Sequence, residues 1–160
     1  MALVLVVTMS NELRQQAVRL LARREHTRAE LARRLAVHGT QEEIDAVLAE
    51  LQAAHLQSDD RAAEGYVRSH AARLGASRLR QDLKARGVAD ELIEAQLAQG
   101  VMPDELERAR TVWSRKFSAA PADAREWARQ ARFLQGRGFA SDIIRQALKM
   151  LKDPAEDHCE

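Results

Sequence analysis

The chain has 160 residues and sets 25 Lys+Arg against 24 Asp+Glu, a formal net charge of +1. That length fits one domain or a short run of small repeats, and the helix formers alanine, leucine, arginine and glutamate dominate. Six aromatic residues, few β-branched residues after position 10 and a lone Cys159 exclude an all-β sandwich, a disulfide scaffold and a C-x-x-C zinc site. The composition predicts a helical, soluble, cytoplasmic protein.

Ala2 to Val7 is an apolar run, far shorter than the roughly 20 residues that span a bilayer. It lacks the basic region and cleavage site of a signal peptide. Residues 1–9 are expected to form an arm, or to reflect a start assigned too early, with Met9 as the functional start. A helix over 11–24 follows, with Leu13, Ala17, Leu20 and Leu21 on one face. Thr27-x-x-Glu30 and Thr40-x-x-Glu43 are capping boxes and predict helices over 28–38 and 41–54. Further helices are expected over 59–73, 76–86 and 89–99, then over 103–117, 122–136 and 140–152. Pro103 suits a first helical position.

Three units emerge from this order. Gly39, Gly87 and Gly138 each follow a leucine by four residues, namely Leu35, Leu83 and Leu134. Five residues after each glycine comes Ile44, Leu92 or Ile143. Each glycine suits the left-handed position that ends one helix before the next. The expected organisation is three tandem three-helix repeats, over 10–57, 58–101 and 102–152, with a flexible tail over 153–160. No unit holds enough large apolar residues to stand alone, so neighbours should stack.

Charge follows the same period. Residues 10–38, 61–87 and 108–137 carry net charges of +4, +5 and +6, whereas 39–60 and 88–107 each carry −6. The remaining segment, from 138 onward, carries −2. Of the 25 basic residues 21 are arginine, and they segregate to the first two helices of each unit. Guanidinium groups bind phosphate or carboxylate bidentately, so an arginine face suits a nucleic-acid backbone or an acidic protein surface. A helix-turn-helix reading fits poorly. The helix that would enter the groove carries Glu42, Glu43, Asp45 and Glu50 in the first unit, and Asp90, Glu91 and Glu94 in the second.

Catalytic signatures are missing. There is no phosphate-binding glycine loop and no H-E-x-x-H, and the five histidines lack ligand-like spacing. Asp59, Asp60 and Glu64 could hold Mg²⁺ on one helical turn, but acids in a first turn also stabilise the helix dipole, and that reading is preferred. No enzyme activity, cofactor or metal is expected.

The motifs resemble one family. Thr27-Arg28-Ala29-Glu30-Leu31 is similar to an S-R-x-E-L signature, followed by Asp59-Asp60-Arg61-Ala62-Ala63-Glu64-Gly65-Tyr66-Val67-Arg68. Leu79 to Leu83 with Lys84-Ala85-Arg86-Gly87-Val88 comes next. Then come Lys116-Phe117 and Arg132-Phe133-Leu134-Gln135-Gly136-Arg137-Gly138-Phe139, followed by Ile143. Together, over residues 11 to 151, these resemble RecX, the regulators of the bacterial RecA recombinase. Departures are Ala62, where the family usually has an aromatic residue, and His70, where it often has arginine. The resemblance implies three tandem three-helix repeats in an elongated, curved all-α molecule. It also implies a protein that binds the RecA–single-stranded-DNA filament and limits its ATPase, strand-exchange and co-protease functions.

The expected partner face comprises Arg28, Arg33, Arg34, Arg68, Arg73, Arg78, Arg80, Arg86, Arg129, Arg132 and Arg137. Expected partners are the RecA filament and single-stranded DNA, with double-stranded DNA weaker, no membrane, and a monomeric chain. A stand-alone single-stranded nucleic-acid binder is the alternative. It is disfavoured because the aromatics sit at helical spacing and suit a core better than a base-stacking platform. A metal nuclease on Asp59, Asp60 and Glu64 is the other.

Overall fold

The computed structural model describes residues 2–98 and 104–152 of the chain, and within them every regular element is a helix. In chain order these are α1 (Ala2–Leu21), α2 (Arg28–Leu35), α3 (Gln41–Ala53), α4 (Asp59–His70) and α5 (Ala76–Ala85). Then follow α6 (Asp90–Ala98), α7 (Glu105–Ser114), α8 (Ala124–Gly136) and α9 (Ser141–Lys152). Each expected helix is present. Pro103 and the tail over 153–160 lie outside the described residues.

Local chemistry sets the helix starts. Thr27 and Thr40 each accept a hydrogen bond from the amide three residues on, while Glu30 and Glu43 reach back to the N-cap amide, completing both capping boxes. Asp123 caps α8 through the Glu126 amide at 2.8 Å. At the N-terminus, where an arm is expected, the backbone is helical from Ala2, the first residue of α1. No proline or glycine interrupts residues 2–21, and an established helix propagates through β-branched residues at a few tenths of a kcal/mol each.

Helix ends correct a second expectation. Gly87 and Gly138 adopt φ of +80° and +85°, but Gly39 does not. Gly39 is instead confined by packing, since a Cβ there would lie 2.7 Å from Leu13 Cδ1. Among the described residues the third left-handed one is His55, at φ +56°, closing α3. Val88 and Phe139, just after the two left-handed glycines, donate to the carbonyls of Leu83 and Leu134 and are buried, the Schellman arrangement. That extra residue moves burial on α6 and α9 to Ile93 and Ile144, one position beyond Leu92 and Ile143, which are only partly buried.

The chain forms two compact units, Met1–Tyr66 with Leu83–Gln96, and Val67–Asp82 with Leu97–Glu160, so the middle three helices contribute to both. In the first unit Leu13, Leu31, Leu35, Ile44, Leu48 and Leu51 form the core. In the second, Trp113, Leu134, Phe139, Ile144 and Leu148 do so, with Phe117 and Phe133 at its margin. Leu35, Leu83 and Leu134 are fully buried, as expected of anchors before each turn.

One joint occurs in both units. In the first, the amide of Arg28, the first residue of α2, donates to Asp59 Oδ1 at 2.7 Å, and Gly87 packs on Ala29. In the second, the amide of Ala76, the first residue of α5, donates to Glu105 Oε1 at 2.9 Å, and Gly138 packs on Arg78. The start of a second helix thus receives an acid from the first helix of the next group and the glycine turn that ends that group's second helix. Asp59 also accepts from Gln57 Nε2 at 2.8 Å, and Asp60 from Gln96 Nε2 at 2.7 Å. These carboxylates join helices, and no metal-binding group of His, Cys, Asp or Glu occurs among the described residues.

Candidate binding interface

The arginines divide by what they touch. Arg108, in the first turn of α7, is buried and donates to the carbonyls of Ala71 and Leu74 at 2.9 and 2.7 Å. Burial lowers its pKa, although Glu105 and Asp104 act the other way. Arg61 pairs with Glu25 at 2.7 Å and donates to the carbonyls of His55 and Leu56 in the turn after α3. Both serve the scaffold.

Of the expected partner-face residues, Arg28, Arg86 and Arg33 are engaged within the first unit, the first two in ion pairs. Arg28 lies 2.8 Å from Asp45 Oδ1 and 3.0 Å from Gln52 Oε1. The Gln41 amide and this guanidinium together hold Asp45 below the usual carboxylate pKa. Arg86 pairs with Glu30 and lies over the Tyr66 ring, 4.4 Å from its centroid. Glu30 also pairs with Arg24 at 3.3 Å. Burial would raise the pKa of Glu30, but the Arg24 hydrogen bond, the Thr27 amide and Arg86 prevail and lower it. The S-R-x-E-L-like segment is therefore a structural clasp. Arg33, exposed, donates to the Ala85 carbonyl at 3.3 Å, and Arg34 is exposed beside it on α2.

In the second unit Arg68 on α4 is exposed, and Arg80 on α5 is partly buried. Arg78 is exposed and pairs with Asp82 at 3.1 Å. Arg129, Arg132 and Arg137 are exposed on and just after α8. Arg129 lies 5.6 Å from the Phe117 ring centroid and Arg137 lies 5.2 Å from that of Phe133, each within cation–π range.

Four cations of this unit meet at one place. Arg73, Arg115, Lys116 and Arg137 surround a cleft of about 230 Å³ floored by Val112 and Phe133. No carboxylate is among the described residues lining it. Phe133 is fixed edge-on against Phe117 at 5.4 Å, which presents a rigid aromatic margin beneath the guanidinium of Arg137. Sequence reasoning placed Arg73 and Arg137 on the partner face but passed over Arg115 and Lys116. The signal available was Lys116-Phe117, noted for its resemblance and not for its charge. A carboxylate-free basic cleft with an apolar floor can bind a phosphodiester or a carboxylate and exclude water from one side of it.

The fold and these joints define an all-helical tandem-repeat protein with a cationic cleft in its second unit. Family models for the first, second and third three-helix domains of RecX match residues 14–51, 58–97 and 103–148. The regulatory protein RecX of Leptothrix cholodnii is 49% identical, over 91% of this chain and 92% of its own length. That of Chromobacterium violaceum is 46% identical, over 85% and 88% respectively. The crystal structure of RecX from Lactobacillus salivarius shares the fold, with a TM-score of 0.78 at 20% identity, over 91% of this chain and 98% of that one. The chain belongs to the RecX family, a family of regulatory proteins and not of enzymes. No described helix is long and apolar enough to cross a membrane.

Proposed function

We propose that this chain binds the RecA–single-stranded-DNA filament and restrains its recombinase, ATPase and co-protease activities, acting as a monomer without a cofactor. The observation that carries the reading is the cleft of Arg73, Arg115, Lys116 and Arg137, where four cations converge and no carboxylate is among the described residues lining it. Coulomb attraction at such a margin is several times stronger than in bulk water. Arg33 and Arg34 in the first unit and Arg68, Arg78, Arg129 and Arg132 in the second are exposed, with Arg80 partly buried, and each is available to an acidic or phosphate-bearing partner. Arg28 and Arg86 contribute indirectly, by holding the first unit's joint.

A filament of protein on single-stranded DNA offers both phosphates and acidic side chains, and guanidinium recognises either. Double-stranded DNA is the weaker ligand in this reading. Co-sedimentation with RecA filaments, compared with single-stranded DNA alone across a salt series, tests it. The chain should pellet with the filament and bind naked DNA more weakly. Equal binding to naked DNA, with a slope of about 0.7 per phosphate neutralised and no gain from RecA, would favour the stand-alone nucleic-acid binder.

A further inference from the structure

Trp127 is the half-exposed member of an otherwise buried stripe. On α8 the positions Trp127, Gln130 and Leu134 share one face. Gln130 and Leu134 are buried, while Trp127 is 40% exposed. The interval from N-cap to the left-handed glycine is twelve residues for Gly75–Gly87 on α5 and fifteen for Asp123–Gly138 on α8, so α8 carries an added N-terminal turn that presents Trp127. Counted back from the anchors Leu35, Leu83 and Leu134, Trp127 aligns with Arg28 on α2 and Ala76 on α5, the residues whose amides receive the joint acids, while Leu31 aligns with the buried Gln130. Trp127 faces a groove of about 520 Å³ formed with Pro121, Ala122 and Leu148 and rimmed by Arg145 and Lys149. Asp123 also lines it, but its carboxylate is engaged in capping α8.

The two joints indicate what such a surface accepts. Beside the start of α2 lies the acidic first turn of α4, with Asp59 on the amide of Arg28 and Ala63 buried one turn later. Beside the start of α5 lies the first turn of α7, with Glu105 on the amide of Ala76 and Ala109 buried one turn later. At the start of α8 the groove is open. We infer that the groove of Trp127 and Leu148 docks a helical segment of a partner protein, with an acidic first turn against Arg145 and Lys149 and a small apolar residue one turn later against Trp127. Its apolar floor and cationic rim complement a segment of that kind. This site is separate from the basic cleft and stands whether or not the cleft binds the filament.

A labelled peptide of residues 58–72 of this chain, which carries the acidic first turn of α4, is a direct probe. Fluorescence anisotropy with the full-length protein should give saturable binding. Replacing Asp59 and Asp60 of the peptide by asparagine, Trp127 of the protein by alanine, or Arg145 and Lys149 together by glutamate should each weaken it at least tenfold. The charge-reversed protein keeps the test valid should Trp127→Ala unfold, and thermal melting checks both. Unchanged affinity across these variants overturns the inference. So does a concentration-dependent dimer that Trp127→Ala dissolves, which would make the groove a self-association surface. Tenfold tighter binding after removal of residues 153–160 also overturns it, by assigning the groove to the chain's own acidic tail.

Discussion

The hydroxyl of Thr27 donates to the main-chain carbonyl of Arg86 at 2.6 Å, across 59 positions of sequence. The same threonine caps α2, so one side chain both starts a helix and fastens it to the turn that ends α5. Removing the hydroxyl while keeping the shape, as in Thr27→Val, leaves a buried carbonyl and the α2 amides without it. The expected loss is about 2 kcal/mol, read from urea unfolding.

Glycines divide sharply by position. A Cβ on Gly138 would lie 2.5 Å from the Arg78 amide nitrogen at φ +85°, and one on Gly75 would lie 2.3 Å from the Gly138 carbonyl oxygen. Gly138→Ala and Gly75→Ala should each cost about 3 kcal/mol or more. Gly136→Ala, where a Cβ meets nothing within 4 Å in helical backbone, should instead stabilise by about 0.5–1 kcal/mol. Thermal melts of the three variants check the contrast.

The turns themselves were only partly legible in the sequence. Capping boxes, apolar periodicity and the spacing of Leu35, Leu83 and Leu134 identify the helices because each signal acts within a few residues. The joint does not act locally. Gly87 is constrained by Ala29, and Gly138 by Arg78, and no local pattern distinguishes a glycine needed for φ from one, like Gly39, needed for packing. The arginine bands likewise mark charge without revealing pairing. Arg86 under Glu30 and Arg137 at the cleft read alike along the chain, and only the packing of α7, α8 and the turn after α4 brings Arg73, Arg115, Lys116 and Arg137 together.

Leu35, Leu83 and Leu134 test the interior directly. Each is fully buried, so truncation to alanine should cost about 2–5 kcal/mol. Equilibrium unfolding of the three single variants measures it.

His26 makes the first unit pH-sensitive. It is buried, and its Nδ1 lies 3.6 Å from Glu30 Oε2. Burial and the neighbouring Arg24 lower its pKa below 6.5, outweighing Glu30. A folded-state pKa below the unfolded one means that the unfolded chain binds the proton more readily. The neutral form's contribution is complete above about 6.5 and is lost as pH falls through the folded value. The lowered pKa of Glu30 acts in the same direction at lower pH, below its usual 4.5. Stability should therefore fall from pH 7 to 5, and His26→Gln should flatten that slope, as followed by urea midpoints across the range.

The strongest test of the filament reading is the inhibition of RecA's DNA-dependent ATPase by charge-reversed protein. Arg115→Glu with Lys116→Glu, and Arg73→Glu with Arg137→Glu, replace attraction by repulsion at the cleft, while exposed charges contribute little to folding. Each pair should raise the concentration for half-inhibition at least tenfold with helicity and melting temperature near those of the unaltered chain. Arg14→Glu with Arg23→Glu, exposed and not among the residues that line the cleft, should shift it less than threefold. Equal inhibition by all three double variants would contradict the account.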